Sequence, residues 1–162
     1  MLHWLARQGL HDFVVCGTPV DGAQPGWQVT TITGGRLKQA EPYIDSDLFL
    51  AVCLGGLADV DIDALLACSR AHGRLATVTA ASVGAPPAAD YESAGIFALR
   101  RAVFDYLEPD SELEQEPLVA LARDGELFAF RHDGFFHPVR NDEDGDRLAR
   151  LWASGQAPWL AA

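Results

Sequence analysis

The side chains able to do chemistry in this chain of 162 residues gather in a few short runs. The run His137-Pro138-Val139-Arg140-Asn141 sets an imidazole close to a guanidinium. Imidazole titrates near neutral pH and can give or take a proton, while a guanidinium clamps a carboxylate or stabilises an enolate. Glu92, between Tyr91 and Ser93, can act as a base if partly buried. The plainer reading is that His137 caps a strand end and Arg140 pairs with Asp142, Glu143 or Asp144. Cys53 sits in an apolar run with no adjacent base, which argues against a nucleophile. A glycine turn, Leu54-Gly55-Gly56, leads to Asp59 and Asp61, either of which can cap a following helix.

These residues must be positioned by regular elements. The pattern predicts a short helix over 2–8, a strand over 12–17, a loop over 18–26 and a strand over 27–33. Residues 34–44 read as a turn and a short extended piece. Residues 48–54 form a continuous apolar run, as expected in the middle of a parallel sheet. A helix over 62–72 ends at Gly73, and a buried strand follows over 75–83. After a loop over 84–90 come another strand from about 93, one helical turn near 103–107, and a helix over about 112–123. Two short strands flank Asp133-Gly134 and read as a hairpin, and a last helix covers 142–154. Strands alternating with helices imply a layered α/β sheet in one domain spanning 1–162.

In such sheets ligands bind beyond the carboxyl ends of the strands. The predicted lining is Cys53, Leu54 and Gly55, then Tyr91, Glu92 and Ser93, then His137, Val139, Arg140 and Asn141. Trp27, Trp152 and Trp159 read as packing residues.

Composition narrows the class of partner. The formal net charge is −11, which supplies no basic face for nucleic acid or an anionic membrane. No apolar run has the length of a membrane span, and the first residues lack the basic start and apolar stretch of a secretory signal. The three cysteines, Cys16, Cys53 and Cys68, are far apart and read as reduced thiols of a cytoplasmic protein. Metal ligation would need His or Cys at close spacing, which the sequence lacks.

Several stretches together resemble the sugar nucleotidyltransferases: MLHWLARQGLHDFVVC, TGGRLKQAEPYI, DVDIDALLACSRAHGRLATVTA, VFDYLEPDSELEQEPLVALARDGELFAFRHDGFFHPV and LWASGQAPW. The nearest branch is that of the glucose-1-phosphate cytidylyltransferases. The resemblance implies a truncated Rossmann-like sheet flanked by helices, with a small β-hairpin addition. It also implies an ancestral chemistry in which Mg²⁺, a glycine-rich phosphate loop and a lysine join a sugar 1-phosphate to a nucleotide.

Measured against that chemistry, the chain departs at each point that can be placed. The phosphate loop has no counterpart, and Gly34-Gly35-Arg36 matches a different segment. Gly55 stands where the family's first metal carboxylate lies, and Arg140 where the second is expected. The family's E-K-P lysine is missing, and Lys38 is the only lysine in the chain. Ser93-Ala94-Gly95 replaces the sugar-binding N-G-G. The expectation is therefore a relative without nucleotidyl transfer activity and without cofactor or metal. Its old pocket is expected to take a small organic molecule, with His137, Glu92 and Arg140 as acid–base and anchoring groups in a metal-free cyclisation, isomerisation or elimination of secondary metabolism. The alternative is a non-catalytic interaction protein that self-associates or partners an intact relative; a homo-oligomer is expected in either case.

Overall fold

The computed structural model describes residues 34–53, 55–83 and 90–160. The elements predicted over 2–33, and all of the 84–90 loop except Asp90, lie outside the described residues. Within them, strands β1 (Leu48–Val52), β3 (Ala76–Val83), β4 (Asp90–Arg100) and β5 (Leu127–His132) form one mixed sheet in the order β1-β4-β3-β5. β4 runs antiparallel to both β1 and β3, while β5 runs parallel to β3. Strands β2 (Gly56–Ala58) and β6 (Phe136–Pro138) pair antiparallel in a small second sheet. Helices α1 (Gly34–Ala40), α2 (Ile62–His72), α3 (Glu116–Arg123) and α4 (Asp142–Ala153) surround them. Among the described residues, no helix is long and apolar enough to cross a membrane.

The helices cover both faces of the main sheet. On one face Ile62 and Leu65 of α2 pack with Ala81, Ala94, Ile96 and Ala98. On the other, Leu37 of α1, Phe104, Leu113 and Leu121 of α3 pack with Ala51, Ala76, Phe97 and Leu99. Burial of one such Leu or Phe side chain contributes about 1.5–3 kcal/mol. Leu148 of α4 joins Ala157 and Trp159 in a separate cluster with Leu57 and Phe135, which seats the small sheet.

Helix α2 begins and ends as the sequence predicts. Asp61 accepts the Ala64 N–H at 2.8 Å as its N-cap, and Gly73 closes it at φ 72°. Asp59, the other candidate cap, turns to His132 instead.

Three expectations need correction. The apolar run at 48–54 is not the middle of a parallel sheet. Among the described residues β1 pairs only with β4, and antiparallel. It lacks alternation because Leu48, Leu50 and Val52 meet one core while Phe49, Ala51 and Cys53 meet the other. Residues 34–44 are not turn and extended chain but α1 followed by a 3₁₀ turn, Glu41–Tyr43. Two glycines open that helix because it lies against the 109–111 backbone: a Cβ at Gly35 would stand 1.9 Å from the Pro109 carbonyl oxygen. Finally, the small β addition is present, but Asp133-Gly134 does not close a hairpin. β5 pairs with β3 and β6 with β2, so Asp133-Gly134 is a corner where the chain changes sheets.

The close contact at Gly35 makes a clear prediction. Gly35→Ala must push α1 off the 109–111 segment and should cost about 2 kcal/mol or more, measured by denaturant unfolding. His72 supplies a pH-dependent term. Its Nδ1 accepts the Arg74 N–H at 3.0 Å, so the neutral ring carries its proton on Nε2, 3.0 Å from Thr77 Oγ1. Burial, then the charges of Arg74 and Arg100, lower its pKa. The unfolded chain therefore takes up the proton first. The contribution is intact above the ordinary histidine value and is lost as pH falls through the lowered folded value. His72→Gln should flatten this part of the stability profile in unfolding experiments between about pH 7.5 and pH 5.

Candidate functional site

The direction of β4 assembles the candidate site. Because β4 opposes β1 and β3, its first residues lie beside the carboxyl ends of both: Ala81 faces Glu92, Ala80 faces Ser93, and the Cys53 N–H donates to the Gly95 carbonyl at 2.6 Å. Gly95 has φ 70°, and a Cβ there would stand 3.0 Å from the Cys53 carbonyl oxygen, so both its conformation and the close approach call for glycine. The small sheet sits against this end. The Val139 N–H donates to the Gly55 carbonyl at 2.8 Å, and Leu57 pairs with His137. The two positions where the family resemblance expects carboxylates, Gly55 and Arg140, are thereby brought close together.

Arg140 reaches from the corner between β6 and α4 to β4, where its Nη2 donates to Glu92 Oε2 at 2.5 Å. The two side chains are 61% and 45% exposed. Solvent screens such a pair, and its net contribution to stability is about 0–1 kcal/mol. Asp142, Glu143 and Asp144 were the alternative partners. The guanidinium takes none of them, but the Arg140 backbone N–H donates to Asp144 Oδ2 at 2.9 Å. That donor, with the charge of His137 adding to it, holds the Asp144 carboxyl below the usual carboxylate range. His137 Nε2 is buried 3.3 Å from Asp144 Oδ1, within ion-pair distance but without hydrogen-bond geometry. His137, Arg140 and Glu92 are thus linked through Asp144 and one ion pair.

The remaining predicted residues divide. Leu54 lies outside the described residues. Asn141 is the N-cap of α4, accepting the Asp144 N–H at 3.0 Å. Val139 is exposed beside Arg140. Ser93 Oγ accepts the Gly95 N–H at 3.1 Å. Alternation along β4 sends Tyr91 and Ser93 to the face opposite Glu92. There the Tyr91 hydroxyl donates to Asp133 at 3.0 Å, and the Arg131 guanidinium lies 4.8 Å from the Tyr91 ring centroid. Cys53 belongs to that side too, against the core that holds Phe97 and Leu99. Burial, with the charge of Glu114 adding to it, pushes its thiol up to about 12.

Sequence reasoning missed a second histidine–carboxylate pair. His132, buried at the end of β5, has Nε2 3.0 Å from Asp59 Oδ1 and 3.1 Å from the Phe135 carbonyl oxygen. The carbonyl can only accept, so Nε2 carries a proton when it bonds there. Gly134 makes room for this pair, since a Cβ there would stand 2.5 Å from Asp59 Oδ1. No local spacing announces a partner so far along the chain; only the HDG corner hinted that a residue before the glycine was tightly placed.

The donor set does not fit the divalent cation that the resemblance implies. Gly55 offers no side chain, and a Cβ there would meet nothing within 4 Å among the described residues. Glu92 is already paired with a guanidinium. At an effective dielectric of about 20, each unit of positive charge about 4 Å from Arg140 meets about 4 kcal/mol of repulsion. Among the described residues, no group of three or more His, Cys, Asp or Glu side chains could hold a metal ion.

No family model matches the chain. The chain is 37% identical over 161 residues to a glucose-1-phosphate cytidylyltransferase of Salmonella typhimurium, with 82% of this chain aligned. It spans 63% of that relative's length. Among solved structures, the fold is similar to HddC from Yersinia pseudotuberculosis complexed with GMP-PN. The TM-score is 0.71 at 13% identity, covering 93% of this chain and 83% of that one. It is also similar to a CMP:2-keto-3-deoxy-manno-octonic acid synthetase complexed with CTP, at TM-score 0.56 and 16% identity, covering 81% and 74% of the two chains.

The raised thiol predicts chemical inertness at Cys53. At pH 8, alkylation by iodoacetamide should run at least about a hundredfold slower than for a solvated thiol. Peptide mass spectrometry of the folded protein gives that rate.

Proposed function

Since this chain belongs to the sugar nucleotidyltransferase family, with glucose-1-phosphate cytidylyltransferase among its relatives, we propose that it keeps the family's frame without catalysing nucleotidyl transfer. Its crevice instead binds a small organic molecule with no metal ion. The observation that carries this reading is the Arg140–Glu92 ion pair beside Gly55. A metal-assisted transfer needs negative charge there to hold the cation, and this chain has one neutral residue and one cation.

The same groups support acid–base chemistry on the bound molecule. His137, at ion-pair distance from Asp144, is the candidate proton donor or acceptor, Glu92 is the candidate base, and Arg140 anchors a developing negative charge. Gly55 and Val139 border the space, and Cys53, packed in the core on the other face, supplies no nucleophile. Cyclisation, isomerisation and elimination are the reaction classes this set can serve without a cofactor. The free thiol of Cys68 suits a cytoplasmic setting.

A second reading, a non-catalytic protein that self-associates or partners an intact relative, draws on the exposed apolar side chains of Trp152, Val119 and Tyr43. Light scattering separates the two. A stable oligomer that Trp152→Ala dissociates favours the interaction protein; a monomer, or an oligomer that Trp152→Ala leaves intact, removes this support for it.

The principal test is direct. Incubation with CTP, glucose 1-phosphate and Mg²⁺ should form no nucleoside-diphosphate sugar. CTP with Mg²⁺ should give no thermal stabilisation that EDTA reverses; either signal overturns the reading. Conversely, the double change Gly55→Asp with Arg140→Asp should raise Mn²⁺ affinity at least about tenfold, because it places two carboxylates beside Glu92 and removes the cation. Electron paramagnetic resonance of free Mn²⁺ measures this gain.

A further inference from the structure

We propose that Arg140 is the crevice's built-in cation: a ligand bearing a phosphate or carboxylate group displaces Glu92 and is held by the guanidinium, with no divalent ion between them. This rests on the metal-independent reading above and names the class of ligand it admits. The main chain at Arg140 is fixed by its N–H bond to Asp144, whereas the guanidinium is held by an exposed partner through Nη2 alone among the described contacts. The anchor is therefore rigid at its base and exchangeable at its tip. A guanidinium presents its donors in a planar fork that meets two oxygens of a carboxylate or phosphate at once, and Glu92 offers one oxygen to it.

Space and direction agree with this exchange. Among the described residues, nothing fills the position of a side chain at Gly55, next to the segment that carries Val139 and Arg140. Opposing charge comes from Asp142, Glu143 and Asp144 in the first turn of α4. Asp144 already accepts the Arg140 N–H and lies at ion-pair distance from His137, so its charge is the best compensated of the three. Glu92 is the direct competitor. It keeps the guanidinium turned toward β4 when no ligand is present.

The assignment is tested with inorganic phosphate as the probe, titrated at constant ionic strength in EDTA and followed by heteronuclear NMR shifts and thermal stabilisation. Glu92→Gln removes the competitor and should tighten phosphate binding at least threefold. Arg140→Gln should weaken it at least tenfold, and Arg140→Lys should restore part of the loss, since it returns the charge without the fork. Competition by acetate extends the ligand class to carboxylates, and its failure confines the class to phosphates; both support the anchor. Equal phosphate affinity in wild type, Glu92→Gln and Arg140→Gln overturns it, as does the absence of saturable binding in Glu92→Gln. Melting curves of each variant show that the comparison is between folded proteins. Formation of a nucleotide sugar would overturn the parent reading, whereas phosphate binding indifferent to both substitutions overturns this assignment alone.

Discussion

The antiparallel direction of β4 is the constraint on which the site depends. A strand entering a sheet against its two neighbours places its own first residues at their carboxyl ends. Glu92, early in β4, is thereby carried to the open end of the sheet, within reach of a chain segment nearly fifty residues later. Were β4 parallel, its first residues would lie at the opposite end and Arg140 would have no partner there. The positive φ of Gly95 and the register shift between Val78 and Ala80 bend this strand where it passes Cys53.

Several acids at that end have partners within the chain. Glu92 has Arg140, Asp144 has His137 and a backbone donor, and Asp59 has His132. These contacts join elements that backbone hydrogen bonds do not connect. Asp59 and His132 tie the end of the small sheet to β5, and Arg140 ties the corner before α4 to β4. An acidic protein can leave most of its carboxylates in water at little cost. Where an acid is partly buried, however, each oxygen that loses water needs a donor or a cation. In the chemistry that the family resemblance implies a divalent ion would answer that need; here Arg140 meets Glu92 and a backbone donor meets Asp144.

Much of the fold was legible because its signals are local. Asp61 and Gly73 bound α2 through a cap and a left-handed residue, and the β-branched run of β3 announced a strand. The direction of β1 was not legible, because an apolar run records that both faces are covered and not which way a neighbour runs. Nor was α1, since two glycines ordinarily signal a turn and only the Pro109 backbone shows why a helix needs them there. At the site, His137, Arg140 and Glu92 were visible by type, but Tyr91 and Ser93 fell to the other face of the same strand. His132 with Asp59 escaped notice because the two residues lie far apart in the chain.

By itself, then, the amino-acid order determined which residues carry charge or a titratable ring, where the helices are capped, and that glycine and arginine stand where the family resemblance calls for carboxylates. These are properties of single residues or of neighbours in the chain. The tertiary structure alone decided which acid meets which cation, which face of β4 carries Glu92, and how far burial raises the Cys53 thiol. Such facts depend on strand direction and on distances of a few ångströms between segments remote in sequence, and chain-local patterns hold no record of either.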